Sequence, residues 1–138
     1  MAFWIVKSEP EEYSFEQLTK DKRTLWTGIR NFTARNNLRA MAPGELVLFF
    51  HTGKVKAAVG VAKVLSAAQA DPTGPKDEDW AAVELGPVKP LAEPVPLATL
   101  KANAKTKGIS VVKMGRLSVG AVTASEWSAV LKLSNTKL

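Results

Sequence analysis

The sequence predicts an α+β domain: a mostly antiparallel sheet or small barrel with helices packed around it. Three observations lead there. Apolar, strand-like stretches recur along the chain, and adjacent ones are separated by short turns. The stretches with three- and four-residue apolar spacing begin at side chains that cap helices. The 138 residues contain no linker, repeat or low-complexity tract, which predicts one domain over 1–138 with a real core.

The elements follow in order. "AFWIVK", Ala2 to Lys7, is apolar on both faces and reads as a central strand. "SEPEEY" breaks it at Pro10. Ser14 with Gln17 fits a capping box, so a short helix runs from Ser14 through Leu18, and the basic "KDKR" after it is a solvated turn. Trp26 follows, and Gly28 permits a bend. Asn31 is a helix N-cap, and Ala34, Leu38 and Met41 mark one buried helix face. Arg35 and Arg39 share another face, and Pro43-Gly44 ends the helix. "ELVLFFH", Glu45 to His51, is a strong strand with a hairpin-like "TGK" turn. "VKAAVGVAKVL" returns as a second strand, where Gly60 allows a bulge or a close backbone approach. "QADPTGPKDED" is a polar loop long enough for a flap. "WAAVELGPVKP" is a strand, "PLATLKANA" a short helix and "ISVVKM" a further short strand. Thr123 with Glu126 is a second capping box, opening a last helix through Leu131.

Composition narrows the function classes. There is no cysteine, which excludes disulfides, thiolate catalysis and cysteine-ligated zinc. The opening "MAFWIVKSEP" reaches Lys7 and Glu9 too early for a signal peptide, which predicts an intracellular, cytoplasmic protein without membrane association. Net charge is +6 and unevenly spread. Lys20 to Arg39 holds six basic residues and one acidic, and Thr99 to Leu138 seven and one. Between them Asp71 to Ala98 holds six acidic residues and two basic. Two basic segments brought together make a patch suited to a polyanion.

Catalytic signatures are mostly missing. There is no phosphate-binding glycine loop, no GxGxxG and no GxSxG. A triad or a metal site would have to be built on His51, the one histidine, with no second histidine at a zinc-ligand spacing. Its plainer reading is a strand-end histidine with one satisfied hydrogen bond. No metal or cofactor is expected. Binding groups are richer. "LWTGIRNFTARNNLR", Leu25 to Arg39, packs three arginines, three asparagines and two aromatics into fifteen residues. An indole face stacks on a base, an asparagine reads a base edge and an arginine pairs with phosphate. Trp127 reads as core, Trp4 equally as core or pocket, and Trp26, beside Gly28 and Asn31, as pocket.

"FWIVKSEPEEYSFEQL", "LWTGIRNFTARNNLRAM", "GELVLFFHTG", "VGVAKV", "DPT" and "GRLSVGAVTASEW" resemble, in order and spacing, the EVE domain family. The resemblance covers essentially the whole chain and implies a PUA-like fold, a small twisted β-barrel of mostly antiparallel strands with surrounding helices, similar to the YTH domains. It also implies a function: non-enzymatic reading of a modified base, taken out of its strand into an aromatic-walled pocket. For EVE members that base is modified cytosine in DNA, and for YTH members N6-methyladenine in RNA. Carried over by motif, Ser8 and Glu9 in "KSEP" look like the positions that hydrogen-bond the flipped base. Trp26 looks like the cage tryptophan, Asn31 a polar pocket contact and Trp80 the second cage wall. Arg30, Arg35 and Arg39 belong on the phosphate side or brace the pocket loop. Arg116 and Ser118 match the family's "GRLSV", and His51 joins the candidate base-binding set. Family members often carry tyrosine where this chain has Phe32 and Phe50. The expectation is a monomeric modified-base reader acting on DNA. The rivals are a general RNA-binding module, a hydrolase built on His51 and Glu9, and a protein-interaction domain.

Overall fold

A computed structural model describes all residues, 1–138. The strands are β1 (Phe3–Ser8), β2 (Thr24–Trp26), β3 (Leu46–His51), β4 (Ala57–Val64), β5 (Gln69–Ala70), β6 (Ala81–Pro96) and β7 (Val119–Val122). The helices are α1 (Phe15–Asp21), α2 (Phe32–Ala40), α3 (Leu97–Ala102), α4 (Ser110–Lys113) and α5 (Ala124–Leu133). The sheet runs β2-β6-β4-β3-β1-β7, with β5 added beside β6. Every pairing is antiparallel except β1 with β3, which are parallel and in register from Phe3 opposite Leu46 to Ser8 opposite His51. That exception has a physical source. Two helices and β2 lie between β1 and β3 in sequence, a crossover long enough to return the chain in the same direction.

Helix α2 packs against β7, one edge strand, and against β6, the neighbour of the other edge strand, so the sheet curls around it into a half-barrel. Register shifts in β4 and in the long, proline-rich β6 supply the bend. Ala34 and Leu38 are the buried face of α2, as their spacing predicts, and Asn37 Nδ2 donates to the Val119 carbonyl at 2.8 Å, tying the helix to the β7 edge. The core is one cluster from both sides of this sheet.

The caps form as the sequence predicts. Asn31 accepts from the Ala34 N–H, and Thr123 with Glu126 makes the full reciprocal box. Ser14 caps α1, but Gln17 turns its amide to Asp21 instead of back to the cap, so only half of that box forms. Gly60 takes the close approach: a Cβ there would stand 2.5 Å from the Phe15 ring. Phe15 therefore seats on the sheet, edge-on to Phe49. Three expectations change. "ISVVKM" is helix α4 and not a strand. The residues after it form β7, and Thr24–Trp26 form β2, both unread in the sequence. No helix is long and apolar enough to cross a membrane.

Candidate functional site

A cavity of about 500 Å³ opens where β1 ends. Lys7, Ser8 and Glu9 form one side, with Glu12 and Tyr13 from the turn that follows. Thr24 to Ile29, covering β2 and the bend after it, form a second side. Gly115 to Ser118, leading into β7, form a third, and Thr52 closes the end of β3. Every one of these segments is positioned by the sheet. The Lys7 N–H donates to the Ser118 carbonyl at 2.9 Å, and the Thr52 N–H to the Ser8 carbonyl at 2.9 Å. Ser8 Oγ donates to the Tyr13 carbonyl at 2.8 Å, which folds the "SEPEEY" turn back over the strand end.

Trp26 is the aromatic wall. It is only 8% exposed, because its indole meets Phe49 and Tyr13 edge-on, at 83° and 81°. It is thus core residue and cavity lining at once, a fixed surface and not a swinging one. Gly28 has φ +81°, the left-handed region that glycine adopts freely, so the chain turns away just past the indole.

Asp71 holds that bend. It is 7% exposed and accepts from the Gly28 N–H at 2.8 Å, from Arg30 Nη1 at 2.9 Å and from both the N–H and hydroxyl of Thr73 at 2.7 Å. Burial pushes its carboxyl pKa up, but the hydrogen bonds from Thr73, Arg30 and Gly28 outweigh burial and hold it at about 2. It is ionised at neutral pH and pins the 71–80 flap to the cavity loop.

The three arginines all serve this flap. Arg30 pairs with Asp71 and also reaches the Thr73 hydroxyl. Arg35 and Arg39 both donate to the Asp79 carbonyl at 3.2 Å, and Arg39 pairs with the Asp79 carboxylate. All three therefore brace the flap in this structure, with the Arg30 and Arg39 side chains still 36% and 37% exposed. Trp80 packs among them and lies outside the lining of the cavity beside Trp26. Its ring stacks on Phe32 with centroids 5.3 Å apart, lies under Arg30 and Arg35, and its Nε1 donates to Glu78 at 2.8 Å. Asn31 is likewise absent from the cavity, since its side-chain oxygen is spent on the Ala34 cap at 3.0 Å.

His51 lies outside the cavity lining too. Its Nε2 accepts from the Phe15 N–H at 3.1 Å and its ring meets Phe49 edge-on, and no carboxylate hydrogen-bonds to it. That is the strand-end histidine with one satisfied bond. Burial lowers its pKa from 6.5, favouring the neutral ring whose Nε2 is free to accept. The sign follows: a depressed folded pKa adds stability that is complete above pH 6.5 and is lost as pH falls through the folded value. The melting temperature is expected to drop as pH is lowered below 6.5, and His51→Gln is expected to flatten that part of the profile. His51 is the one histidine, so a slope that survives the substitution contradicts this assignment.

Trp4 is settled as core. Its Nε1 donates to Glu45 at 3.0 Å, and the same carboxylate accepts from the Ala42 and Ala2 N–H groups. Trp127 is core on α5, stacked on Phe3. Of the residues predicted for the site, the structure therefore gathers Ser8, Glu9, Trp26 and Arg116 around one cavity, with Ser118 of "GRLSV" beside them. It adds Lys7, Tyr13, Thr27 and Leu117, which the sequence did not single out. Tyr13 is the chain's one tyrosine and sits in the "SEPEEY" turn beside Ser8 and Glu9, a signal that was available.

The EVE domain model matches residues 2–133. The chain belongs to the EVE domain family. Its fold is PUA-like, as the resemblance implied, with the sheet curled into a half-barrel where a small twisted barrel was expected. Human thymocyte nuclear protein 1 is 30% identical, over 94% of this chain and 72% of that protein. A crystal structure of an Agrobacterium tumefaciens protein is 35% identical with a TM-score of 0.94, covering 99% of this chain and 94% of that one. The human thymocyte nuclear protein in complex with DNA containing 5-methylcytosine has a TM-score of 0.90 at 29% identity, and the match covers 100% of both chains.

Proposed function

We propose that this EVE domain is a non-enzymatic reader of a modified nucleobase, modified cytosine in DNA, drawn out of its strand into the cavity at the end of β1. The observation that carries this is the 500 Å³ cavity walled by the fixed indole of Trp26 and edged by polar side chains. A base is flat, with a π-face for the wall and hydrogen-bonding groups for the edge. Ser8, Glu9 and Thr27 supply donors and acceptors there, while Lys7 and Arg116 bring positive charge to it. The human relative bound to 5-methylcytosine DNA supports cytosine as the base. His51 spends its Nε2 on the Phe15 N–H and lies outside the cavity lining, which favours binding over a hydrolase built on His51 and Glu9.

The energetics are balanced. Extruding a base costs a few kcal/mol, least where pairing is already weak. Stacking on an aromatic wall returns about 1–3 kcal/mol, and each net edge hydrogen bond about 0.5–1.5 kcal/mol. Extrusion therefore makes a specific prediction. A mismatch placed opposite 5-methylcytosine is expected to raise affinity, since part of the opening cost is already met. Binding measured by fluorescence anisotropy checks it, and equal affinity for the matched and mismatched duplexes contradicts extrusion.

A further inference from the structure

We infer that the nucleic-acid strand flanking the cavity leaves it over a lysine track made by Lys7, Lys56, Lys101 and Lys54, whose ammonium groups take successive backbone phosphates. This rests on the base-reading proposed above and extends it to the backbone. The base cavity shares Lys7, Thr52 and Gly115 with a smaller hollow of about 170 Å³ that adds Lys56 and Lys101. That hollow in turn shares Lys56, Leu97 and Lys101 with a shallow third one, which adds Lys54. The three form one path from the end of β1, across the β3–β4 hairpin, to the start of α3.

No carboxylate lines the second or third hollow, and Lys54, Lys56 and Lys101 take part in none of the protein's ion pairs. Lys7 stands at the junction, its Nζ held by the Val111 and Gly115 carbonyls at 3.0 and 3.2 Å. Burial, and then the like charge of Lys101, hold its pKa below the usual lysine value. Cations gathered without counter-charge repel one another, and a polyanion relieves that repulsion. The mouth is asymmetric: Glu9 and Glu12 line the base cavity, and Glu9 is the acid that approaches the hairpin, at Gly53. A phosphate chain is repelled there and attracted along the lysines.

The test removes charge without touching the cavity wall. The triple variant Lys54→Gln/Lys56→Gln/Lys101→Gln is compared with Lys63→Gln/Lys132→Gln/Lys137→Gln, which loses the same charge at exposed positions outside the track. The probes are a duplex with one 5-methylcytosine and its unmodified counterpart, titrated across salt concentrations. In the track variant the slope of log K against log salt is expected to shrink by about 2 to 3, from a contribution of roughly 0.7–0.9 per phosphate. Affinity falls for both duplexes alike, so the preference between them is kept. The control triple keeps the wild-type slope. Equal slopes in the two triples overturn the track. If wild type shows no preference for the modified duplex while the track variant still loses slope, the base-reading fails and the track stands.

Discussion

Trp26→Ala is expected to lower the unfolding free energy by about 3–5 kcal/mol, the usual loss for a buried large aromatic. The indole is 8% exposed and fills the space between Phe49 and Tyr13, so truncation opens a void on the core side as well as on the cavity side. Domains of this size are stable by only about 5–15 kcal/mol, so the loss is a large share of the total. Trp26→Phe keeps an aromatic ring edge-on to Phe49 and loses less, while giving a base a smaller face. Chemical denaturation of both variants checks the order. An alanine variant as stable as wild type would mean that the indole does not support the core.

The second large effect lies at Asp71. Asp71→Ala removes four hydrogen bonds at once and is expected to cost about 2–4 kcal/mol. The cost stays below that of breaking a fully buried pair because the Arg30 side chain is 36% exposed and recovers solvation. The damage falls on the cavity: the Gly28 N–H is orphaned and the flap is released from the bend. Affinity is expected to fall along with stability, with Trp26 itself intact. The carboxyl is depressed to about 2 from an ordinary value of 3.8, so its contribution is complete above about pH 4 and is lost as pH falls toward 2. Acid unfolding followed by circular dichroism is expected to begin at higher pH in wild type than in Asp71→Asn only if this assignment is wrong in sign; the expected result is a wild-type advantage at pH 7 that narrows between pH 4 and pH 2.

Much of the fold was legible in the sequence because local rules governed it. β1, β3 and β4 are long apolar runs with clear stops, and Ser14, Asn31 and Thr123 cap helices through contacts three residues away. The misread elements depend on distant partners. Thr24–Trp26 is a strand only because Val83 to Leu85 lies beside it, and Val119–Val122 because β1 does. "ISVVKM" is a short apolar run that suits a strand or a buried helical turn equally, and burial of Ile109, Val111 and Val112 against the core selects the helix. The parallel β1–β3 pair depends on a crossover whose path no local signal describes.

The site divides in the same way. Trp26 stood out by its position beside a glycine bend, and "KSEP" only through the resemblance to the EVE family. Trp80 lies outside the cavity beside Trp26, and its neighbours along the chain do not reveal the partners that hold it. Glu78, Phe32 and two arginines occupy it. The arginines themselves find Asp71, Thr73 and Asp79 some forty residues away, a pairing invisible to spacing. Asp71 was visible only as part of "DPT", and its role appears once the flap folds onto Gly28.

The central claim is that the cavity beside Trp26 holds a modified base. Its most direct test is the ratio of affinities of the wild-type protein for a duplex with one 5-methylcytosine and for the same duplex unmodified, at fixed salt. The account predicts a preference of about tenfold or more, equivalent to about 1.4 kcal/mol, that narrows in Trp26→Phe. Equal affinities for the two duplexes, falling together as salt rises, would contradict it.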